Sequence, residues 1–149
     1  MTRQISIKTK FGWISVFEEK DRIVKVKFGK YKNIYTSKNL EKFKSSLNTF
    51  LNRKSKSIKS NFIIKGTTIQ KKVWGELKNI KFGKTKSYGE ISKKYKLSPR
   101  HVGKICSQNK LLLLVPCHRV IRTDGSLGGF SSLGGIKLKK KLLDFERSY

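Results

Sequence analysis

Cys117 and His118 are adjacent in this sequence, and both side chains are of types that can take part in a chemical reaction. A cysteine thiolate is a strong nucleophile, and a nearby histidine or positive charge lowers a thiol pKa from ~8.5 towards ~3.5 to 7.5. The pair follows an apolar run at residues 111–115, where we expect a buried strand or extended segment to reach the surface. Adjacency alone leaves a second interpretation open, in which Cys117 is a small buried hydrophobic residue.

Metal binding is the other common use of these residue types. Four possible ligands are present, namely His101, Cys106, Cys117 and His118. Their spacings match none of the common zinc patterns, so we expect no metal. A disulfide between the two cysteines is conceivable, although two cysteines without a signal-peptide segment indicate a reducing, cytoplasmic location.

The composition limits the class of protein. A chain of 149 residues is long enough for one compact domain or two small ones, and its longest apolar run is far short of the ~20 residues of a membrane span. Lys and Arg number 36 against 9 Asp and Glu, a net charge of +27 that attracts polyanions. Because the excess is spread over the whole chain, nucleic-acid binding and a merely solvated basic surface both remain open.

The first part of the chain predicts a small sheet and one helix. Short β-branched or aromatic runs predict strands at residues 5–9, 12–17 and 22–28. In the third run, Val24, Val26 and Phe28 are expected on the dry face and the lysines between them on the wet face. Apolar residues at three- and four-residue steps from 40 to 51 predict an amphipathic helix on that dry face. An aperiodic stretch follows, so we place a domain boundary at residue 60.

The second part of the chain predicts a series of helices. One apolar stripe covers residues 69–80, and Ser87 with Glu90 forms a capping box that opens a short helix. Ser98 and Pro99 are start signals for the next helix, which extends to about residue 107. Two short helices joined by so brief a turn are typical of a helix-turn-helix, whose second helix usually contacts DNA. A final helix is predicted at residues 138–147.

Arg100 lies in the first turn of this second helix. The positive end of the helix dipole disfavours a cation there by roughly 0.3 to 1 kcal/mol. The residue is therefore either a solvated arginine or one that enters DNA, at phosphates or in the base stack.

Together, the segment Pro116-Cys117-His118-Arg119-Val120 resembles the signature of the O6-alkylguanine-DNA alkyltransferases, also called methylated-DNA-protein-cysteine methyltransferases. The resemblance covers most of residues 66–147, including the Val-Trp pair at 73–74, the Ser-Tyr-Gly-Glu segment at 87–90 and the loop at 127–131. It implies direct DNA repair in which an alkyl group passes irreversibly, once per molecule, from O6-alkylguanine to Cys117. O4-alkylthymine stays open as a second substrate.

The resemblance also implies a role for each matched residue. His118, oriented by Glu146, would take the thiol proton through a water; Tyr88 would donate to the base ring, and Asn109 would brace the turn before the cysteine. Substrate contacts would come from the following residues: Val120, Phe130 and Ser131. Contacts to the duplex would come from a second set on or beside the recognition helix: Ser98, Arg100, Gly103 and Lys104.

The implied fold class is α+β. Residues 1–60 would form a ribonuclease H-like domain with a small antiparallel sheet and a helix, and residues 61–149 a helical, winged helix-turn-helix-like domain with the active site. The implied partner is double-stranded DNA containing O6-alkylguanine, with a base-flipping step, no cofactor and a monomeric protein. Alternatives are a non-catalytic alkyltransferase-like lesion-binding protein, which would lack the cysteine, and a Cys-His hydrolase, for which no orienting triad is visible.

Two departures from the family pattern concern the same loop. Phe130 stands where many members have tyrosine, and two additional residues separate Phe130 from Glu146. The pocket polarity and the loop over the pocket are therefore expected to differ from those of other members.

Overall fold

The computed structural model describes residues 2–130 and 132–148 as an α+β protein. The chain divides into two compact units, Met1–Lys65 and Gly66–Tyr149. The first contains β1 (Thr2–Thr9), β2 (Gly12–Glu19), β3 (Arg22–Phe28) and α1 (Lys38–Leu51). The second contains α2 (Thr68–Lys78), β4 (Lys86–Ser87), α3 (Tyr88–Tyr95), α4 (Pro99–Ser107), a 3-10 turn (Cys117–Arg119), β5 (Val120–Ile121) and α5 (Gly135–Arg147). No helix among the described residues is long and apolar enough to cross a membrane.

The first unit is an antiparallel sheet covered by one helix. β1, β2 and β3 pair in chain order, and α1 contributes the predicted apolar stripe, which consists of Leu40, Phe43, Leu47, Phe50 and Leu51. Ser37 caps α1 by accepting the Leu40 N–H, and its hydroxyl donates to the buried Glu18 carboxylate at 2.9 Å. The helix cap is therefore tied directly to the sheet.

The predicted alternation along β3 is wrong at one position. Phe17 pairs with Lys25 and Glu18 with Ile23, so Val24 is an extra residue in β3. This β-bulge reverses the alternation beyond it, because one added residue turns every following side chain to the opposite face. Ile23 is accordingly buried in the place predicted for Val24, which is only half-buried.

The starts of α3 and α4 confirm the predictions from local signals. Ser87 Oγ accepts the Glu90 N–H at 3.0 Å, and the Ser87 N–H donates to the Glu90 carboxylate at 3.1 Å, which completes the capping box of α3. Lys96 ends α3 in the left-handed region at φ 55°. Ser98 Oγ then accepts the His101 N–H at 3.1 Å, with Pro99 as the first residue of α4. A turn of only three residues therefore separates α3 from α4.

The apolar run at residues 111–115 is a turn, not the expected extended segment. The Val115 N–H donates to the Leu111 carbonyl at 2.8 Å, and Leu113 is left-handed at φ 71°. Pro116, at φ −79° and ψ 68°, is the centre of an inverse γ-turn in which the Cys117 N–H donates to the Val115 carbonyl at 2.8 Å. The chain therefore folds back on itself and leads Cys117 into the interior rather than to the surface.

The final helix begins three residues before the predicted start at 138. Its N-cap is Gly134, at φ 95°, with no side-chain hydrogen bond to the first turn. Because no Ser, Thr, Asp or Asn marks this start, the sequence signals placed it too late.

Candidate active site

A cavity of about 740 Å³ opens beside Cys117 in the second unit. Its walls come from the first residue of α3, from α4, from the 3-10 turn and from the loop before α5. The lining residues are Tyr88, Pro99, Arg100, Gly103, Cys106, Ser107, Cys117, Arg122, Thr123, Gly128, Gly129 and Phe130. The cavity thus brings two buried thiols together with two arginines and two aromatic rings.

Cys117 is the first residue of the 3-10 turn and is only 6% exposed. Burial raises the pKa of its thiol, while a hydrogen bond with the Asn109 side chain and the charge of Lys139 act in the opposite direction. The lowered thiol pKa allowed for in the sequence analysis is therefore wrong for the unliganded protein, because desolvation disfavours a buried thiolate. The resting sulfur is a neutral thiol.

Asn109 holds the turn that precedes this sulfur. Its Nδ2 donates to the Val115 carbonyl at 2.8 Å, and its Oδ1 accepts the Leu111 N–H at 2.9 Å. One side-chain amide thus satisfies both ends of the turn, as an asparagine can because it offers a donor and an acceptor side by side.

His118 and Glu146 form a buried pair in which Nε2 lies 2.8 Å from Oε2. Arg119 completes the cluster, donating through Nε to Oε1 at 2.8 Å and through Nη2 to Oε2 at 2.9 Å. Its Nη1 donates to the carbonyl of Ile80 at 2.8 Å. The Glu146 carboxylate on α5 therefore forms hydrogen bonds with both residues that follow Cys117, namely His118 and Arg119.

The protonation states of this cluster follow from burial and pairing. Burial alone would raise the pKa of Glu146, but the hydrogen bonds from His118 and Arg119 outweigh it and lower the pKa to about 2. Burial lowers the pKa of His118, and the attraction of Glu146 only partly opposes this. A neutral imidazole that donates from Nε2 to a carboxylate leaves Nδ1 free to accept a proton.

Lys139 on α5 is a buried cation that the sequence analysis did not select. It is 0% exposed, and its Nζ donates to the Tyr88 hydroxyl at 3.3 Å and to the Gly129 carbonyl at 3.2 Å. Burial lowers its pKa to about 8, although the nearby thiols Cys117 and Cys106 oppose this. Helical spacing is the sequence signal that could have identified Lys139 as buried. Residue 139 lies three positions before Leu142 and seven before Glu146, which are both on the buried face of α5.

Tyr88 and Cys106 complete the cavity wall around the thiol. Burial, with the nearby thiols as the next cause, raises the pKa of Tyr88 to about 12, so its phenol stays protonated. Burial likewise raises the pKa of Cys106 to about 12, and both cysteines are free. Among residues 2–130 and 132–148, no three His, Cys, Asp or Glu side chains gather as a metal site would need.

The residues assigned to DNA and substrate contacts divide into two groups. Arg100, Gly103 and Phe130 line the cavity. Ser98 caps α4, Lys104 is exposed on it, and Val120 is fully buried in β5, so these residues lie outside the cavity lining. Ser131 lies outside the described residues. Arg122 and Thr123, which the sequence analysis did not assign, line the cavity instead.

The class of protein is that of the methylguanine methyltransferases: the family model described as "6-O-methylguanine DNA methyltransferase, DNA binding domain" matches residues 68–148. This range covers more than half of the chain and contains the whole cavity lining. The chain belongs to this family.

Relatives and solved structures support the same assignment. A methylated-DNA–protein-cysteine methyltransferase of Sulfolobus acidocaldarius is 41% identical over 80% of this chain and 64% of its own length. One of Metallosphaera sedula is 32% identical over 99% of this chain and 95% of its own. The chain spans less than two thirds of the Sulfolobus protein and 48% of a Methanocaldococcus vulcanius relative that is 51% identical.

The fold is similar to that of the Mycobacterium tuberculosis O6-methylguanine methyltransferase, with a TM-score of 0.87 and 27% identity over 99% of this chain and 94% of that one. A structure of the Mycobacterium tuberculosis protein in complex with DNA gives a TM-score of 0.85 at 27% identity, over 97% and 92% of the two chains.

Proposed function

We propose that this protein repairs O6-alkylguanine in duplex DNA by transferring the alkyl group to the Sγ of Cys117. The observation that carries the proposal is a buried thiol followed by a histidine–carboxylate pair 2.8 Å apart, beside a cavity large enough for a purine. Family membership and the names of the relatives support it. The proposal includes O4-alkylthymine as a second substrate of the same site.

The transfer is a displacement at the alkyl carbon. The Cys117 proton passes through a bridging water to Nδ1 of His118, and Glu146 stabilises the imidazolium that forms. The sulfur then bonds to the alkyl carbon, the bond from that carbon to O6 breaks, and its electron pair stays on the guanine oxygen. The departing guanine ring takes up one proton. This uptake balances the proton that the Cys117 thiol gave up. The thioether is stable, and each molecule acts once.

Two groups offset charge during this displacement. The neutral phenol of Tyr88 donates to the purine ring as negative charge develops there, and Lys139 holds the phenol oxygen at 3.3 Å. The same ammonium favours the thiolate of Cys117 electrostatically. Because the resting thiol is neutral, we place its deprotonation after the base has entered the cavity.

The duplex would be bound by α3, the three-residue turn and α4 as a helix-turn-helix of winged type. Arg100, at the cavity wall, would fill the space of the flipped base, and flipping costs less for a guanine already mispaired by its alkyl group. Gly103 would permit close approach to the DNA backbone, with Ser98 and Lys104 as phosphate contacts. Val120 would offer its backbone carbonyl to the guanine amino group, while the substrate contacts from Phe130 and Ser131 would shape the pocket.

The first domain, residues 1–60, would be ribonuclease H-like, and residues 61–149 would carry DNA binding and chemistry. We expect a monomer that works in the cytoplasm, without a cofactor or a metal.

Peptide mass spectrometry tests the proposal because trypsin separates the two cysteines. Cleavage after Lys104, Lys110 and Arg119 gives Cys106 in residues 105–110 and Cys117 in residues 111–119. After incubation with an O6-methylguanine duplex, one methyl group is expected on the second peptide and none on the first. A Cys117→Ser variant should bind the duplex without transfer. Binding of the lesion by the unmodified protein, with no methylated peptide, would instead identify a non-catalytic lesion-binding protein.

A further inference from the structure

Three aromatic rings and three lysines share the outer face of the sheet in the first unit. On the strands, the alternation that buries Ile14 and Val16 turns Trp13 and Phe17 outward, with Lys25 directly opposite Phe17. The aromatic–lysine face consists of Trp13, Phe17, Lys25, Lys27, Lys30 and Tyr31.

Tyr31 is anchored to this face by the backbone of the segment after β3. The Tyr31 N–H donates to Ser6 Oγ at 2.9 Å, and the Ser6 hydroxyl donates to the Tyr31 carbonyl at 2.6 Å. Its ring meets that of Phe17 edge-on with 5.7 Å between the ring centres, and the residue is 40% exposed. The aromatic rings are therefore held in fixed positions at the surface rather than on a free loop.

Each ring carries one lysine ammonium over its face. Lys27 lies 4.2 Å from the centre of Tyr31, Lys30 lies 4.8 Å from Trp13, and Lys25 lies 5.6 Å from Phe17. Within the described part of the chain, no ion pair involves these three lysines. The face therefore combines flat apolar surfaces with positive charges that lack a carboxylate partner.

We propose that the aromatic–lysine face binds single-stranded DNA, as a second nucleic-acid site separate from the cavity beside Cys117. Aromatic rings on a sheet stack on unpaired bases. The three lysines, which no carboxylate holds in place, would move from the ring faces to the phosphates when the bases stack. A duplex would use only the lysines, because its bases are already stacked on one another. The choice of DNA over RNA rests on the proposed repair function.

Fluorescence anisotropy on the full chain tests the charges. The probe is a labelled oligothymidylate of about 12 nucleotides, within the site sizes known for single-strand binding. Lys25→Glu/Lys27→Glu/Lys30→Glu should weaken binding roughly tenfold or more and reduce the salt slope by about 2, at ~0.7 per lost phosphate contact. The matched control, Lys38→Glu/Lys42→Glu/Lys44→Glu, makes the same charge change on the exposed side of α1 and should have a much smaller effect. Equal losses would overturn the proposal in favour of diffuse charge attraction.

A second variant tests stacking without changing charge. Trp13→Leu/Tyr31→Leu should weaken binding of the oligothymidylate roughly tenfold or more while leaving binding of a duplex of the same length nearly unchanged. In the unmodified protein, the oligothymidylate should quench the fluorescence of Trp13, whereas Trp74 is buried and should not respond. An equal loss on the duplex, or tighter binding of an oligouridylate than of the oligothymidylate, would overturn the proposal.

Reaction with free O6-benzylguanine separates this proposal from the proposed function. That reaction needs no DNA, so all three variants should retain it, together with an unchanged circular dichroism spectrum. If the unmodified protein fails to react but binds the oligothymidylate through this face, the repair function fails alone. If it reacts normally and the face variants bind the oligothymidylate as it does, the second site fails alone.

Discussion

The ammonium of Lys139 lies 3.3 Å from the hydroxyl oxygen of Tyr88, and neither group has a carboxylate partner among the described residues. Fully burying a cation costs free energy unless it is paired. We therefore expect Lys139, which lies near the thiol, to act in the proposed alkyl transfer rather than to stabilise the fold.

Replacing this lysine should separate activity from stability. We expect Lys139→Met to slow alkyl transfer by about a hundredfold, the lower end for loss of one positioned donor, and to raise the thermal unfolding temperature. In the unmodified protein the rate should fall as the pH rises through about 8, where Lys139 loses its charge. The variant should lack that decline. Lys141→Met, an exposed neighbour on α5, is the control and should change neither quantity.

The Glu146 cluster should contribute strongly to folding. Glu146→Gln leaves the buried Arg119 without its carboxylate, and breaking a buried ion pair in this way destabilises a protein by about 3–5 kcal/mol. Urea unfolding monitored by circular dichroism measures the change. Asp144→Asn on the same helix removes an exposed pair with Lys140 and should cost less than about 1 kcal/mol. Similar losses for the two variants would contradict the importance assigned to the buried cluster.

A second carboxylate predicts the behaviour of the protein in acid. Glu76 accepts from Lys86 at 2.7 Å, Lys94 at 2.8 Å and Tyr95 at 3.0 Å, and the first two bonds are the main causes that lower its pKa to about 2. A lowered folded-state pKa stabilises the fold fully above pH 4.5, and the contribution is lost as the pH falls through about 2.

Glu76→Gln should therefore reduce the free energy of unfolding by about 1–2 kcal/mol at pH 7, since the lysines are partly exposed. Between pH 4.5 and 2, the free energy of unfolding of this variant should depend less on pH than that of the unmodified protein. Denaturation curves at a series of pH values check both points. An unchanged slope in this window would mean that Glu76 does not titrate with folding.

Arg100 should matter for duplex substrates and not for the free base. Arg100→Ala is expected to slow transfer from an O6-methylguanine duplex by roughly tenfold to a hundredfold, since base flipping costs a few kcal/mol. Its reaction with free O6-benzylguanine should change little, because that substrate needs no flipping. Lys93→Ala, an exposed cation on α3, controls for general charge loss. Equal losses of Arg100→Ala on both substrates would reject an intercalating role.

Local signals in the sequence were sufficient for the starts of α3 and α4, but not for the start of α5. Ser87 with Glu90, and Ser98 with Pro99, act within one turn of chain, so their geometry depends little on distant residues. The predicted capping contacts therefore occur as expected.

The structure differs from the predictions made from the sequence where the course of the chain or the burial of a side chain depends on tertiary packing. The bulge at Val24 is set by the pairing of β3 with β2, and no residue type at that position indicates it. The turn before Cys117 is held by Asn109, which was expected to brace it, but the inward course that this turn gives the chain was not predicted. Lys139 was missed because it lies in a lysine-rich stretch, and only the helical phase of α5 distinguishes it from its exposed neighbours. The raised pKa of the Cys117 thiol was not predicted for a similar reason, because the residues adjacent in sequence do not show that the thiol is buried.

The carboxylate of Glu146 lies in the last turn of α5 and is shared between His118 and Arg119, which in turn reaches the carbonyl of Ile80. Removal of the chain from residue 146 onward would take away the carboxylate that both His118 and Arg119 contact. We therefore expect a chain trimmed at this point to lose stability and the proposed alkyl transfer together, because one carboxylate serves both.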